Sequence, residues 1–219
     1  MVIVKYCSRE KIISMFRDGQ TIMAGGFAWH GCPLDLFECV LESGAKHLTL
    51  IALDASPAKL MHAGRVDRVI MAHAGAVPEN LQLIASGKID VEFCPMGTLA
   101  ERIRAGGSGL GGVLVRTGMG TVAQEGKRLI EIDGQEWILE SPLTADISLV
   151  YAKTADPYGN LTYGGAMRTS NPYVAMAGDI TIVEAEQLIP VDSIPPENIV
   201  TPGIFVDYIL GNGCTNGGA

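Results

Sequence analysis

The sequence predicts an α/β chain in which a mostly parallel central sheet is covered by helices. Apolar runs of strand length alternate with segments whose apolar residues recur at helical spacing, from Thr21 to about Arg104. That rhythm belongs to strand–helix–strand units. One run, Thr21 to Ala24, leads through a glycine-rich turn to Pro33, a residue suited to the first turn of a helix. The 219 residues are 47% hydrophobic, enough for the core of one α/β unit spanning residues 1–219.

The elements follow in order. Ser8 is a candidate N-cap for a helix carrying Ile12, Ile13, Met15 and Phe16, ended by Asp18-Gly19. Thr21 to Ala24 reads as a buried strand. Leu34, Phe37, Val40 and Leu41 fall on one helical face, stopped by Gly44. Leu48 to Leu53 is a strand, and Ser56-Pro57 opens a short helix ending at Gly64. Arg68 to Ala72 is a strand, Pro78 to Ser86 a helix, and Ile89 to Cys94 a further strand. Thr98-Leu99-Ala100-Glu101 matches a capping box, predicting a helix from there through Arg104.

The rhythm then changes. Leu129 to Ile132 and Glu136 to Leu139 flank Asp133-Gly134, a hairpin signal. Ile147 to Tyr151 and Ile180 to Val183 return as buried strands, with Asn171-Pro172 opening a helix between them. Pro195-Pro196 marks a loop, and the glycine-rich tail from about residue 211 is expected to be flexible.

Composition excludes several function classes. The net charge of −8 argues against nucleic acid, whose recognition needs clustered Lys and Arg. No apolar run approaches the roughly 20 residues of a membrane span, and Met1 to Lys5 lacks a secretory pattern. A cytoplasmic location is expected. Cys7, Cys32, Cys39, Cys94 and Cys214 are widely spaced, with no Cys/His cluster to suggest a metal. Reduced thiols are the simplest reading.

The stretch Gly25-Gly26-Phe27-Ala28-Trp29-His30-Gly31 is the candidate site. Glycines permit unusual dihedrals and close approach of backbone to ligand. With a helix starting at Pro33, free amides and the positive helix end would face one crevice, suited to an oxyanion or a phosphate. A tight strand-to-helix turn with no ligand satisfies the same spacing.

Other motifs are weaker. Gly107-Ser108-Gly109-Leu110-Gly111-Gly112 contains G-x-G-x-x-G, but a helix precedes it and a strand-like run follows. A dinucleotide site needs the reverse order. His30 has no accompanying nucleophile motif, and Trp29 could pack on a ligand or on a partner. Glu79-Asn80 reads as a helix start after Pro78.

Asp18, Gly19, Gly25, Gly26, Phe27, Gly31 and Pro33 together resemble the signature of family I coenzyme A transferases, in the small A (alpha) subunit. Further blocks resemble the same family: Gly97 to Gly107, Thr117 to Thr121, Gly159 to Tyr163 and Thr201 to Asp207. The resemblance implies the CoA-transferase (NagB/RpiA-like) fold and transfer of CoA between a short-chain acyl thioester and a free carboxylic acid, such as a 3-oxoacid, acetate or butyrate. It implies a B (beta) subunit that carries the nucleophilic glutamate, in a heterodimer or heterotetramer. It assigns no catalytic side chain to this chain. It implies no permanently bound cofactor and no metal, the coenzyme A thioester being substrate, and no nucleic acid or membrane partner.

On that reading the amides around Gly25 to Gly31 stabilise an oxyanion or contact coenzyme A, and a bulky residue at Gly25 or Gly26 is expected to cut turnover while leaving folding largely intact. Two positions depart from common family patterns. Met96 stands where many relatives carry Gln, and Asp35 where those acting on succinyl-CoA often carry Asn. An ionised Asp cannot donate to an oxyanion, so both departures bear on substrate identity. Arg168 is a candidate to pair with a carboxylate. The alternatives are a sugar-phosphate isomerase-like enzyme, whose glycine loop holds phosphate, and a ligand-sensing protein on the same fold.

Overall fold

The computed structural model describes residues 4–75 and 77–211. Its strands are β1 Tyr6–Cys7, β2 Thr21–Ala24, β3 Leu48–Ala52, β4 Val66–Met71, β5 Asp90–Phe93, β6 Val113–Val115, β7 Leu129–Ile132, β8 Gln135–Glu140, β9 Ala145–Ala155, β10 Leu161–Thr162, β11 Gly178–Leu188 and β12 Tyr208–Leu210. Its helices are α1 Arg9–Ile13, α2 Leu34–Ser43, α3 Ala58–His62, α4 Pro78–Ala85, α5 Met96–Gly107 and α6 Asn171–Val174.

The main sheet has nine strands in the order β1-β12-β11-β9-β2-β3-β4-β5, with β10 beside β9. Every pair in it is parallel except β10 with β9. The chain builds outward from β2 through β3 and β4 to β5, then returns to lay β9, β11 and β12 on the other side of β2. Strand order therefore reverses between β2 and β9. In open α/β sheets the crevice beyond the strand ends at such a point is where ligands bind.

Both faces of this sheet are covered, which explains why its strands read as continuous apolar runs. Ile22, Leu50 and Leu149 face one core with Leu36, Val40 and Leu60 of α2 and α3. Met23, Ile51 and Val150 face a second with Leu99 and Ile103 of α5 and Val174 of α6.

Most predicted elements are present. Ser8 caps α1, its Oγ accepting from Lys11 N. Gly44 ends α2 with φ 78°. Asp133 and Gly134, with φ 52° and 74°, join β7 to β8 in the predicted hairpin. The hairpin belongs to a separate three-stranded sheet, β6-β8-β7.

Four expectations are corrected. The helix predicted from Thr98 starts at Met96, so Thr98 lies inside α5, buried, with its hydroxyl unpartnered. Glu101 pairs with Arg104 instead of closing a capping box. Leu34 is 49% exposed, and the buried face of α2 uses Leu36 and Cys39 beside Phe37 and Val40. Strands β9 and β11 extend to 11 residues each, past the apolar runs that marked them. Lateral pairing carries them through Lys153 and Glu186. The edge strand β1 and its neighbour β12 are too short for any periodicity to reveal. Of the tail expected to be flexible, Gly211 donates its amide to Cys7 O at 3.2 Å; residues 212–219 lie outside the described residues.

An ionic chain ties the small sheet to the large one. Arg102 of α5 bonds Glu92 of β5 at 2.5 Å and the Ser141 carbonyl at 2.9 Å. It lies 3.8 Å from Glu140 of β8, which Lys127 meets at 2.7 Å.

Candidate active site

The glycine stretch leaves the sheet at the reversal point. Gly25 N donates to Leu149 O at 2.9 Å, the last bond between this segment and β9. The backbone then turns at Gly26, φ 97°, a conformation that side chains rarely adopt. Beyond the split β9 keeps β11 on one side but has lost β2 on the other, and Tyr151 N donates to Asn171 Oδ1 at 2.8 Å. Asn171 Nδ2 donates to Gly31 O and to Met167 O, each at 3.0 Å. A buried amide side chain thus fills the gap between diverging strands.

That arrangement changes the reason for the glycines. A Cβ on Gly25 would lie 2.0 Å from Asn171 Oδ1. One on Gly26 would lie 2.5 Å from Cys32 Sγ and 2.7 Å from Gly31 O. One on Gly31 would lie 2.9 Å from Met167 Cα. The close approach expected of a ligand is made by the chain itself. A bulky residue at Gly25 or Gly26 therefore collides with the chain itself, which corrects the expectation that folding would be spared.

The next residues form a two-residue hairpin. Phe27 N donates to His30 O at 3.1 Å and His30 N to Phe27 O at 2.9 Å. Ala28 and Trp29 occupy its tip with φ 49° and 71°. Both dihedrals suit the Asn-Gly type of turn, and a side chain there costs roughly 1–2 kcal/mol per residue. The strain is held by Asp54 and Ser56, just after β3. Asp54 Oδ2 accepts from Ala28 N at 2.6 Å, and Ser56 Oγ lies 3.4 Å from Trp29 N. Asp54 Oδ1 accepts in turn from Ser56 N at 2.9 Å. Strained residues pinned by buried polar groups concentrate at functional sites.

The hairpin presents Trp29 outward, 61% exposed, over a cleft of about 380 Å³ shared with Lys59, His62, Val77 and Asn80. His30 is exposed, and its ring has no hydrogen-bond partner among the described residues.

The expected row of free amides is absent. The amides of Gly25 to His30 all have acceptors within the chain. Gly26 N donates to Ser170 Oγ at 2.7 Å. The Gly31 amide has no acceptor among the described residues.

The start of α2 is occupied as well. Glu184 Oε2, on β11, accepts from Asp35 N at 2.9 Å and Leu36 N at 3.2 Å. Burial, with the Asp35 carboxylate beside it, raises the Glu184 carboxyl to about 7 against the pull of those two amides. An external phosphate would have to displace this carboxylate. Burial also raises the Cys32 thiol behind the loop and takes the Cys39 thiol to about 11, so neither supplies a ready thiolate.

The remaining candidates are dispersed. Met96 opens α5 beyond β5 and is partly exposed. Glu79 is exposed in the first turn of α4, as expected, while Asn80 is buried between His62 Nε2 at 2.7 Å and Ala74 O at 3.3 Å. Helix α5 precedes the G-x-G-x-x-G run and β6 follows it, the order that excludes a dinucleotide turn. Arg168 Nε donates to Tyr163 O at 3.1 Å, and no carboxylate among the described residues pairs with it.

Sequence reasoning assigned no site role to Asp54, Ser56, Ser170 or Glu184, and read Asn171 as a helix start within a structural stretch. The signal for Asp54 and Ser56 was their place directly after a buried strand, where a parallel sheet collects polar groups. Glu184 gave none, since a carboxylate mid-strand is ordinarily solvated. Among the described residues no group of three or more His, Cys, Asp or Glu could hold a metal ion, and no helix is long and apolar enough to cross a membrane.

The sequence model for the family described as Coenzyme A transferase matches residues 7–212. The chain is 46% identical over 211 residues to the acetate CoA-transferase subunit alpha of Escherichia coli (strain K12), covering 94% of this chain and 96% of that one. It is 42% identical over 206 residues to the acetoacetyl-CoA:acetate/butyrate CoA transferase alpha subunit of Clostridium acetobutylicum, covering 92% and 94%. In fold it is similar to the crystal structure of glutaconate coenzyme A-transferase from Acidaminococcus fermentans, with TM-score 0.82 and 20% identity over 94% of this chain and 75% of that one.

Proposed function

The chain belongs to the coenzyme A transferase family, and on that premise we propose that it works as the A subunit of a short-chain acyl-CoA transferase, beside a B subunit in a heterodimer or heterotetramer. It moves CoA between an acyl thioester and a free acid of the acetate, butyrate or 3-oxoacid class. Relatives named for acetate and for acetoacetyl-CoA with acetate or butyrate support that range. The location that suits such substrates is the cytoplasm, and no resident cofactor is required.

The chemistry is ping-pong. A glutamate carboxylate of the B subunit attacks the thioester carbonyl and expels CoA thiolate, leaving an acyl-glutamyl anhydride. The thiolate then attacks the glutamyl carbonyl, releasing the first acid and forming a glutamyl-CoA thioester. The second acid reverses both steps, departs as the new acyl-CoA and restores the carboxylate. Each exchange is divided into easier displacements.

The observation that carries this chain's share is the strained Ala28–Trp29 turn at the sheet's reversal point. In this reading Phe27, Ala28, Trp29 and His30 form a wall against the thioester, and the Gly31 amide is the donor left for an oxyanion. Gly25 and Gly26 act by shaping the bend. One lost oxyanion donor costs on the order of a hundredfold or more in rate.

The test uses the chain alone and mixed with its B partner. Activity is expected only in the mixture, and after incubation with acyl-CoA alone mass spectrometry should find the CoA adduct on a B-chain glutamate. Activity of the lone chain, or an adduct on one of its own glutamates, would sink the assignment.

A further inference from the structure

Two adjoining strand positions secure the end of the glycine stretch. Glu184 of β11 lies in register with Tyr151 of β9. Tyr151 N is held by Asn171, whose Nδ2 holds Gly31 O. Glu184 holds the amides of Asp35 and Leu36 in the first turn of α2. Gly31 is thus fixed from both sides, its carbonyl through Asn171 and the helix after it through Glu184. Only Cys32, Pro33 and Leu34 stand between Gly31 and Asp35, and the proline ring removes one soft dihedral from that link. A shift of the first turn therefore reaches the Gly31 amide.

The turn that Glu184 holds carries a second carboxylate, Asp35. Both line one open cavity of about 360 Å³ with Arg9 and Glu186. Like charges at such range resist joint ionisation. The cations nearby are engaged elsewhere. Arg9 of α1 bonds Glu42 of α2 at 2.7 Å and meets Asp35 at its backbone carbonyl, at 3.5 Å. Lys153 of β9 pairs with Glu186 of β11. Tyr151, Cys32 and Cys39 complete the titratable groups around Glu184. Burial raises all three, Cys39 to about 11, so they stay neutral through pH 8. Glu184 changes charge near neutral pH, at about 7.

We propose that Glu184 and Asp35 form a proton-dependent latch on the start of α2. With Glu184 protonated, the turn is held and the Gly31 amide is aimed. With both groups ionised, the proton having passed to solvent through the cavity, their repulsion pushes the turn from Glu184 and carries the amide out of line. The latch rests on the transferase reading, in which Gly31 N is the oxyanion donor. Neither carboxyl touches substrate, so both are positioning residues. Asp35 thereby gains a role, because an Asn in its place has no charge to repel.

The test is the pH profile of the assembled enzyme from pH 6 to 8.5. The quantity read is kcat at saturating acyl-CoA, so that ionisation of the CoA phosphates, felt in KM, drops out. Wild-type kcat should fall about tenfold between pH 6.5 and 8. Glu184→Gln and Asp35→Asn each remove one of the two charges, and each should reduce that fall to about twofold or less. The remote Glu131→Gln should keep the wild-type profile. Circular dichroism should show a folded chain at every pH. A flat wild-type profile, a fall retained in both charge variants, the same flattening with Glu131→Gln, or unfolding over this range would each overturn the latch. Any of these in an active assembly sinks the latch alone, whereas an assembly inactive at every pH sinks the transferase reading with it.

Discussion

The Ser170 hydroxyl holds Gly26 by both ends of its backbone, accepting from the amide at 2.7 Å and donating to the carbonyl at 3.1 Å. The two residues are 144 apart in sequence. The bend that begins the candidate site is thus set by a segment laid down after β9.

Ser170→Ala leaves both groups of Gly26 unpartnered in a buried place. Each such group costs about 1–3 kcal/mol. Urea denaturation of the chain should show a midpoint lowered accordingly, and the assembled enzyme should lose turnover. An unchanged midpoint would mean that the clamp contributes nothing.

Gly25→Ala places its methyl group on Asn171 Oδ1. Overpacking of this kind costs about 1–3 kcal/mol. Asn171→Ala removes the obstacle and also deprives Tyr151 N of its acceptor. A double-mutant cycle should therefore give a pair less damaged than the sum of the single changes, with a coupling of about 0.5–3 kcal/mol. Strict additivity would contradict the packing described here.

Trp29→Gly relieves the positive φ at the hairpin tip. Thermal denaturation should show stability equal to wild type or higher by about 1 kcal/mol, while turnover in the assembled enzyme falls. A glycine variant that is less stable and fully active would show that Trp29 serves the fold alone.

Glu184 makes stability depend on pH in a stated direction. Its folded carboxyl, near 7, lies above the ordinary 4.5. The native state therefore holds a proton that the unfolded chain has already released. The contribution is complete below about 4.5 and is lost as pH rises through about 7. Its size is on the order of 3 kcal/mol. Glu184→Gln keeps an oxygen acceptor for Asp35 N and Leu36 N. Its stability should lack this part of the slope in parallel melts from pH 4 to 8. Identical slopes would refute the assignment.

The amino-acid order by itself determined the alternation of strands and helices, the cap at Ser8, the turn at Asp133-Gly134 and the family. Each is encoded by neighbouring residues, through apolar period, a side-chain acceptor beside a helix start, or tolerance of positive φ. Tertiary structure decided what fills the space at the glycines, what caps α2 and where α5 begins. Ile22 pairs with Ile147, and Glu184 reaches Asp35 across 149 residues. Local pattern carries no record of such partners, because a backbone donor left free where two strands diverge is satisfied by whichever distant side chain the sheet order brings to it.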